Sequence, residues 1–304
     1  MTGADGHPAR GTGPRASIVA EFLSQELLGE DGEIFRPADL QDCAPGTLVW
    51  VRSFSEERLA LLEAGRPALA ICDPETAART TVPRVSSRNP RLDFAHVLQR
   101  FFAPERPVGI HPTAIVAPEA RVGQGVSIGA YARIEADVSI GDGTVIGSGV
   151  AIEGEVEIGR DCVIKPNAVI GAAGFGFEYD EDGHPIHFPH LGKVVLEDEV
   201  WLGSCSTIER ATLGVTLVRH GCKIDDLVQI GHNTAIGPNT LVMANAVICG
   251  GAVIGEGCWI APNSVIKQKV TIGDGVTVGL GAVVLKGVPD GLTVAGVPAR
   301  PLER

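Results

Sequence analysis

The sequence predicts a mainly β protein, a parallel β-helix of hexapeptide repeats preceded by a small α/β domain. Three observations predict it. β-branched aliphatic residues recur at every sixth position from Ile110 to Ile170, and again from Val218 to Val284. The 39 glycines show no collagen-like triplet and so ask for many tight corners. Aromatic residues are only 5% of a chain that is 44% hydrophobic, which leaves an aliphatic, repetitive core as the only one available.

In chain order, residues 1–15 are small, polar and rich in Gly and Pro, and read as a disordered lead without the apolar stretch of a secretory signal. Residues 16–105 lack the period. Strand-like runs (47–52 and 68–71) alternate with helix-like ones (16–28, 55–63 and 92–102), which suits a small α/β domain, with 104–107 as linker. Residues 106–288 carry the repeat. A period of six fits neither an amphipathic helix nor a hairpin meander, but it fits short parallel strands separated by corners. With three sides per coil, each anchor stacks on the anchor three steps away. The residue after the anchor is repeatedly Gly or an acid (Gly129, Glu135, Gly141, Gly147, Glu153, Gly159), as a crowded corner demands. Two irregularities interrupt the period, an excursion over 171–195 and a lengthened step between Ile208 and Val218. Residues 289–304 break the repeat with Pro and Gly and read as a tail covering the last coil.

A formal net charge of −12 argues against a nucleic-acid partner. No run approaches the ~20 apolar residues of a membrane span. The 7 cysteines form no CxxC pair, so small apolar packers in a reducing cytoplasm are expected, with no metal.

Chemistry has to come from polar residues that break the pattern. His232, two positions past anchor Ile230, projects outward from a corner. Its column contains Arg210 on one side and Gly250, Gln268 and Lys286 on the other. A histidine beside a side-chain-free glycine leaves room for a substrate and can take a proton near neutral pH; a solvated surface imidazole is the competing reading. His184, His187 and His190 recur at spacings of three, but Pro185 and Pro189 deny them a helix, so loop decoration or substrate contact is preferred over a metal site. Phe175 and Phe177 in a glycine-rich loop suit an apolar acyl chain or a base. Trp50 and Phe54 suit either base stacking or ordinary core packing.

Together, GIHPTAIVAPEA, VIGAAGFGFEYD, LGKVV, STIER and KIDDLVQIGHNTAIG, in this order after a small N-terminal domain, resemble the UDP-3-O-acylglucosamine N-acyltransferases of lipid A synthesis. The resemblance implies a left-handed helix, a homotrimer with active sites in clefts between subunits, and acyl transfer from an acyl carrier protein thioester to the amine of a nucleotide-linked amino sugar. It implies His232 as general base, Asp225 as a supporting acid, and Gly174–Phe177 lining the site, with Arg210, Asn233, Gly250 and Lys269 as further substrate contacts. The N-terminal domain, with Trp50 and Phe54, would hold the nucleotide. Departures occur at Lys269, where the family has a histidine, at Glu56, where it has a tyrosine, and in the ending. GLGAVVLKGVPDGLTVAGVPARPL is similar to the tails of hexapeptide acetyltransferases that use CoA, which implies a donor site at Gln268, Lys286 and Arg300. Two alternatives therefore stand beside the first reading: an acyl-CoA-dependent N- or O-acetyltransferase on another nucleotide sugar of surface polysaccharide, and an inactive prism for binding or trimerisation.

Overall fold

The computed structural model describes residues 13–104 and 107–302, so most of the expected disordered lead lies outside the described residues. The chain divides into two compact units, Met1–Glu105 and Arg106–Arg304.

The first unit is a parallel four-stranded sheet, Arg36–Pro37, Thr47–Val51, Leu69–Cys72 and Arg84–Ser86 in that order, with helices Ala16–Phe22, Glu56–Gly65, Pro74–Arg79 and Pro90–Val97. Alternation along Thr47–Val51 explains its two cores. Leu48 and Trp50 point into one cluster, while Val49 and Val51 point into the other. The first helix stops at Phe22, short of the expected 28, because Ser24 takes a left-handed conformation (φ 54°).

The second unit is a three-faced parallel β-helix. Anchors pair with the anchors three steps away, Ile146 with Ile164 on one face and Ile152 with Ile170 on the next. The three faces hold 8, 11 and 9 strands. Nearly all strands are two or three residues long, and from Ile128 onward the last residue of each rung through Val284 is a buried aliphatic one, whereas the anchors of the first rungs, Ile110, Val116 and Val122, are not buried. Ile152, Ile164, Ile230, Ile248 and Ile260 are fully buried, forming one continuous aliphatic column.

Two corner positions explain the rest of the repeat. A Cβ at Gly141, one past its anchor, would stand 2.6 Å from the backbone of Gly159 on the next coil. Three past the anchor the backbone turns left-handed, with Asn167, Asn233, Asn239, Asn245 and Asn263 all near φ +60°. Asparagine tolerates that region better than most residues, hence its recurrence.

The repeat outlasts the expected boundary at 288. Thr293–Ala295 adds another rung, Val294 pairing with Val278, and Arg300–Pro301 then folds back antiparallel. The excursion holds its own hairpin, Phe177–Tyr179 against Pro185–His187.

Candidate active site

His232 follows strand Gln229–Ile230, at a corner that the neighbouring rungs Thr207–Ile208 and Val247–Ile248 hold in register. Glu209 accepts the His232 backbone N–H at Oε2 (3.1 Å) and a hydrogen bond from Gln229 Nε2 at Oε1 (3.3 Å). The imidazole lies over Gly250, where a Cβ would come within 2.6 Å of Nε2. Any side chain there would displace the ring.

Asn233 sets the tautomer. Its side-chain amide N–H donates to the Leu213 carbonyl (2.8 Å), so its oxygen faces the other way. That oxygen accepts the Thr212 N–H (3.0 Å) and hydroxyl (2.8 Å), and lies 3.0 Å from His232 Nδ1. Nδ1 therefore donates, and in the neutral ring Nε2 is the nitrogen with the lone pair, as a proton acceptor requires. Asn233, expected to touch substrate, also ties the imidazole to Thr212 and Leu213.

The excursion covers the same corner. Rings run in sequence from Phe175 to Phe177 (4.8 Å between centroids), His187 (5.4 Å), His190 (6.1 Å) and His232 (5.1 Å). Gly174 packs on His190 and Glu209 so closely that a Cβ would meet both. Phe175 is 86% exposed, and Phe177, Ile186, Phe188 and Leu213 leave further apolar surface uncovered around it. Arg210 is a structural tie, since its backbone N–H donates to the Ala172 carbonyl (3.0 Å) and its guanidinium to the Gly171 carbonyl. It clamps the base of the excursion and spreads over Gly154.

Other expected residues fall elsewhere. Asp225 follows Ile224, whose strand belongs to a different face from that of Ile230, so the acid and the imidazole of one chain do not meet. One coil turns a corner between them. Asp225 instead lines a shallow cavity of about 290 Å³ with Trp201, Lys223 and Met243. Trp50 is packed against Phe94 (6.3 Å), and Phe54 lies under the Arg79 guanidinium (4.2 Å), so the two do not form one stacking platform. Lys269 is an exposed left-handed corner whose stem passes Gly251. Lys286 and Arg300, far apart in sequence, do line one groove of about 350 Å³. Gln268 is exposed in the same column, between His232 and Lys286.

Glu209, Thr212 and His190 carry much of this geometry, and sequence reading gave none of them a settled role. The stacking rule that produced the column of His232 also places Glu209 one residue before Arg210, and this was the available signal. Among the described residues, no group of three or more His, Cys, Asp or Glu side chains is placed to hold a metal. The Cys249 thiol near this corner is pushed above its ordinary pKa by burial.

The sequence matches the family described as bacterial transferase hexapeptide (six repeats) over 137–172 and 251–286, and the hexapeptide repeat of succinyl-transferase over 228–268. UDP-3-O-acylglucosamine N-acyltransferase of Coxiella burnetii is 36% identical over 235 residues, covering 71% of this chain and 68% of that protein. The protein of that name from Methylobacillus flagellatus is 40% identical over 235 residues, covering 71% and 66%. Among solved structures, LpxA from Acinetobacter baumannii (25% identity, TM-score 0.59, covering 64% of this chain and 73% of that one) has a similar fold. So has the UDP-N-acetylglucosamine acyltransferase of Francisella novicida (28% identity, TM-score 0.59, covering 64% and 70%). The β-helix is accordingly left-handed.

Proposed function

Since the chain belongs to the UDP-3-O-acylglucosamine N-acyltransferase family and transfers an acyl group to a nucleotide-linked amino sugar, we propose that His232 is the general base of that transfer. The observation that carries the proposal is the hydrogen-bond geometry, which sets Nδ1 against the Asn233 oxygen and leaves Nε2 as the free acceptor of the neutral ring, over Gly250. The amine attacks the thioester carbonyl while Nε2 takes one of its protons. The tetrahedral oxyanion is stabilised by backbone N–H groups at the corner, and His232 returns the proton to the departing sulfur. No covalent acyl-enzyme is needed.

The remaining assignments rest on the same frame. The working unit is a homotrimer, which would let Asp225 of a neighbouring copy reach the imidazole that it does not meet in its own chain. The exposed Trp201 and Trp259 on Asp225's face suit such burial. Phe175 and Phe177 cover the acyl chain, and the first unit holds the nucleotide. The donor is a thioester of acyl carrier protein or CoA. Its pantetheine lies along the column His232, Gly250, Gln268, Lys286, with phosphate at Lys286 and Arg300. Three rungs at about 4.8 Å place that groove about 14 Å from the imidazole, a distance an extended pantetheine spans. No described helix is long and apolar enough to cross a membrane, and the cytoplasm, where nucleotide sugars and both carriers are found, is the proposed compartment.

His232→Ala should lower kcat by about two to four orders of magnitude with the fold intact. Near-full turnover in that variant would remove His232 from the mechanism.

A further inference from the structure

Among the described residues, one buried side-chain nitrogen or oxygen has no hydrogen-bond partner, Nε2 of His190. His190 is 4% exposed. Its Nδ1 lies 2.9 Å from the Phe188 carbonyl oxygen, which can only accept, so Nδ1 carries the proton and Nε2 presents a lone pair. Burial pulls the pKa of this ring below its ordinary value, against the opposing pull of the Phe188 carbonyl, and so favours the neutral form. A buried acceptor without a donor is costly, and folds keep such groups where something else supplies the donor.

The surroundings say what that donor would be. The His190 ring meets His232 edge to face, with centroids 5.1 Å apart and planes at 76°. The glycine turn Gly174–Gly176 packs against the Nε2 edge of the His190 ring. A Cβ at Gly174 would stand 2.9 Å from Nε2 and 2.7 Å from Glu209 Oε2, and one at Gly176 would stand 3.0 Å from His190 Cε1. The His190 lone pair and the Glu209 carboxylate thus border one small corner beside this side-chain-free turn, and both are acceptors. The corner adjoins the base.

We infer that His190 is a specificity-determining residue: its Nε2 accepts the N–H that remains on the acceptor nitrogen while His232 removes the other proton, so the site selects an amine over a hydroxyl. This rests on the reading of His232 as general base. A neutral primary amine brings two hydrogens. As the N–C bond forms, one proton passes to His232 Nε2; as the C–S bond breaks, that proton leaves with the thiol. The other hydrogen ends as the amide N–H and needs a partner. A hydroxyl brings a single hydrogen, which His232 takes, and its ester product would leave Nε2 unpaired. Sites built around a hydrogen bond discriminate strongly against analogues that lack it.

The test compares wild type, His190→Phe and His190→Gln, whose amide oxygen can still accept. Two readouts are taken: kcat/KM for a nucleotide-linked amino sugar, and the affinities of the N-acylated product and of its ester counterpart. His190→Phe should lower kcat/KM about 10- to 100-fold and weaken the amide product about 10-fold, with the ester changed less than about threefold. His190→Gln should recover most of both losses. A parallel loss of amide and ester affinity, or an unchanged ratio between them, would overturn the inference, as would failure of Gln to outperform Phe. His232→Ala, assayed alongside, separates the two ideas. Undiminished turnover there sinks the general-base reading, whereas the product-affinity ratio reports on His190 alone.

Discussion

The coil around Ile230 and the excursion that leaves the prism after Ile170 lie side by side, and they reach order by opposite routes. Ile230 pairs in register with Ile208 on one side and Ile248 on the other, and all three are buried. Each rung is fixed by its twins, so the side chain only has to fill a slot. In the excursion, both hairpin strands are exposed throughout. Its order comes from a few polar ties, such as the Phe188 N–H on the Gly176 carbonyl (2.8 Å) and the Arg210 clamp on Gly171. The repeat supplies stiffness and the departure supplies chemistry, as expected when a rigid scaffold positions loops. His232 stands where the two meet.

The comparison can be broken most directly at the core. Ile230→Ala should cost about 2–5 kcal/mol, because the neighbouring rungs cannot collapse into the cavity. Ile186→Ala, at 55% exposure in the hairpin, should cost less than about 0.5 kcal/mol. Denaturant midpoints measure both, and similar losses would mean that the excursion is as integral to the fold as the coil. A second test keeps the fold and moves only the site. Gly250→Ala places a methyl where a Cβ comes within 2.6 Å of His232 Nε2, and the ring must shift. Displacements of that kind cost about 100-fold in kcat, while thermal stability should hold because Gly250 does not adopt a left-handed conformation. An Ala variant of undiminished kcat would show that the ring is not held as described.

The same contrast decides what the sequence could reveal. The anchors from Ile110 to Val284 were legible because a period repeats its own message on every rung, and the column through Arg210, His232 and Gly250 followed from counting. The family resemblance joined Asp225 to His232, but their strands belong to different faces of one chain, a separation that a motif quoted as one run does not display. For Asn233 the family resemblance implies a substrate contact, and its hydrogen bonds to Thr212 and Leu213 are not written in its motif. Its left-handed φ of +59° follows the corner pattern of the other asparagines, whereas its ties to Thr212 and Leu213 depend on the insertion after Ile208, whose path no period dictates. Trp50 poses a different problem. A tryptophan on a strand carries the same signal whether it stacks on a base or on Phe94.

The smallest expected effect concerns protons. In the unfolded chain His190 titrates near its ordinary value of 6.5, whereas in the folded protein burial lowers it. Between those two values the unfolded chain binds more protons, so stability rises with pH across that window. The contribution is therefore complete above 6.5 and is lost as pH falls from there through the folded value. His190→Gln removes this slope, while coil anchors, which have nothing to titrate, cannot contribute one. Melting wild type and His190→Gln at about pH 7.5 and 5.5 should show the larger fall in Tm for wild type. Equal falls would mean that the excursion lets water reach His190 before the coil unfolds. The two regions would then be separate cooperative units, with the site built on the weaker one.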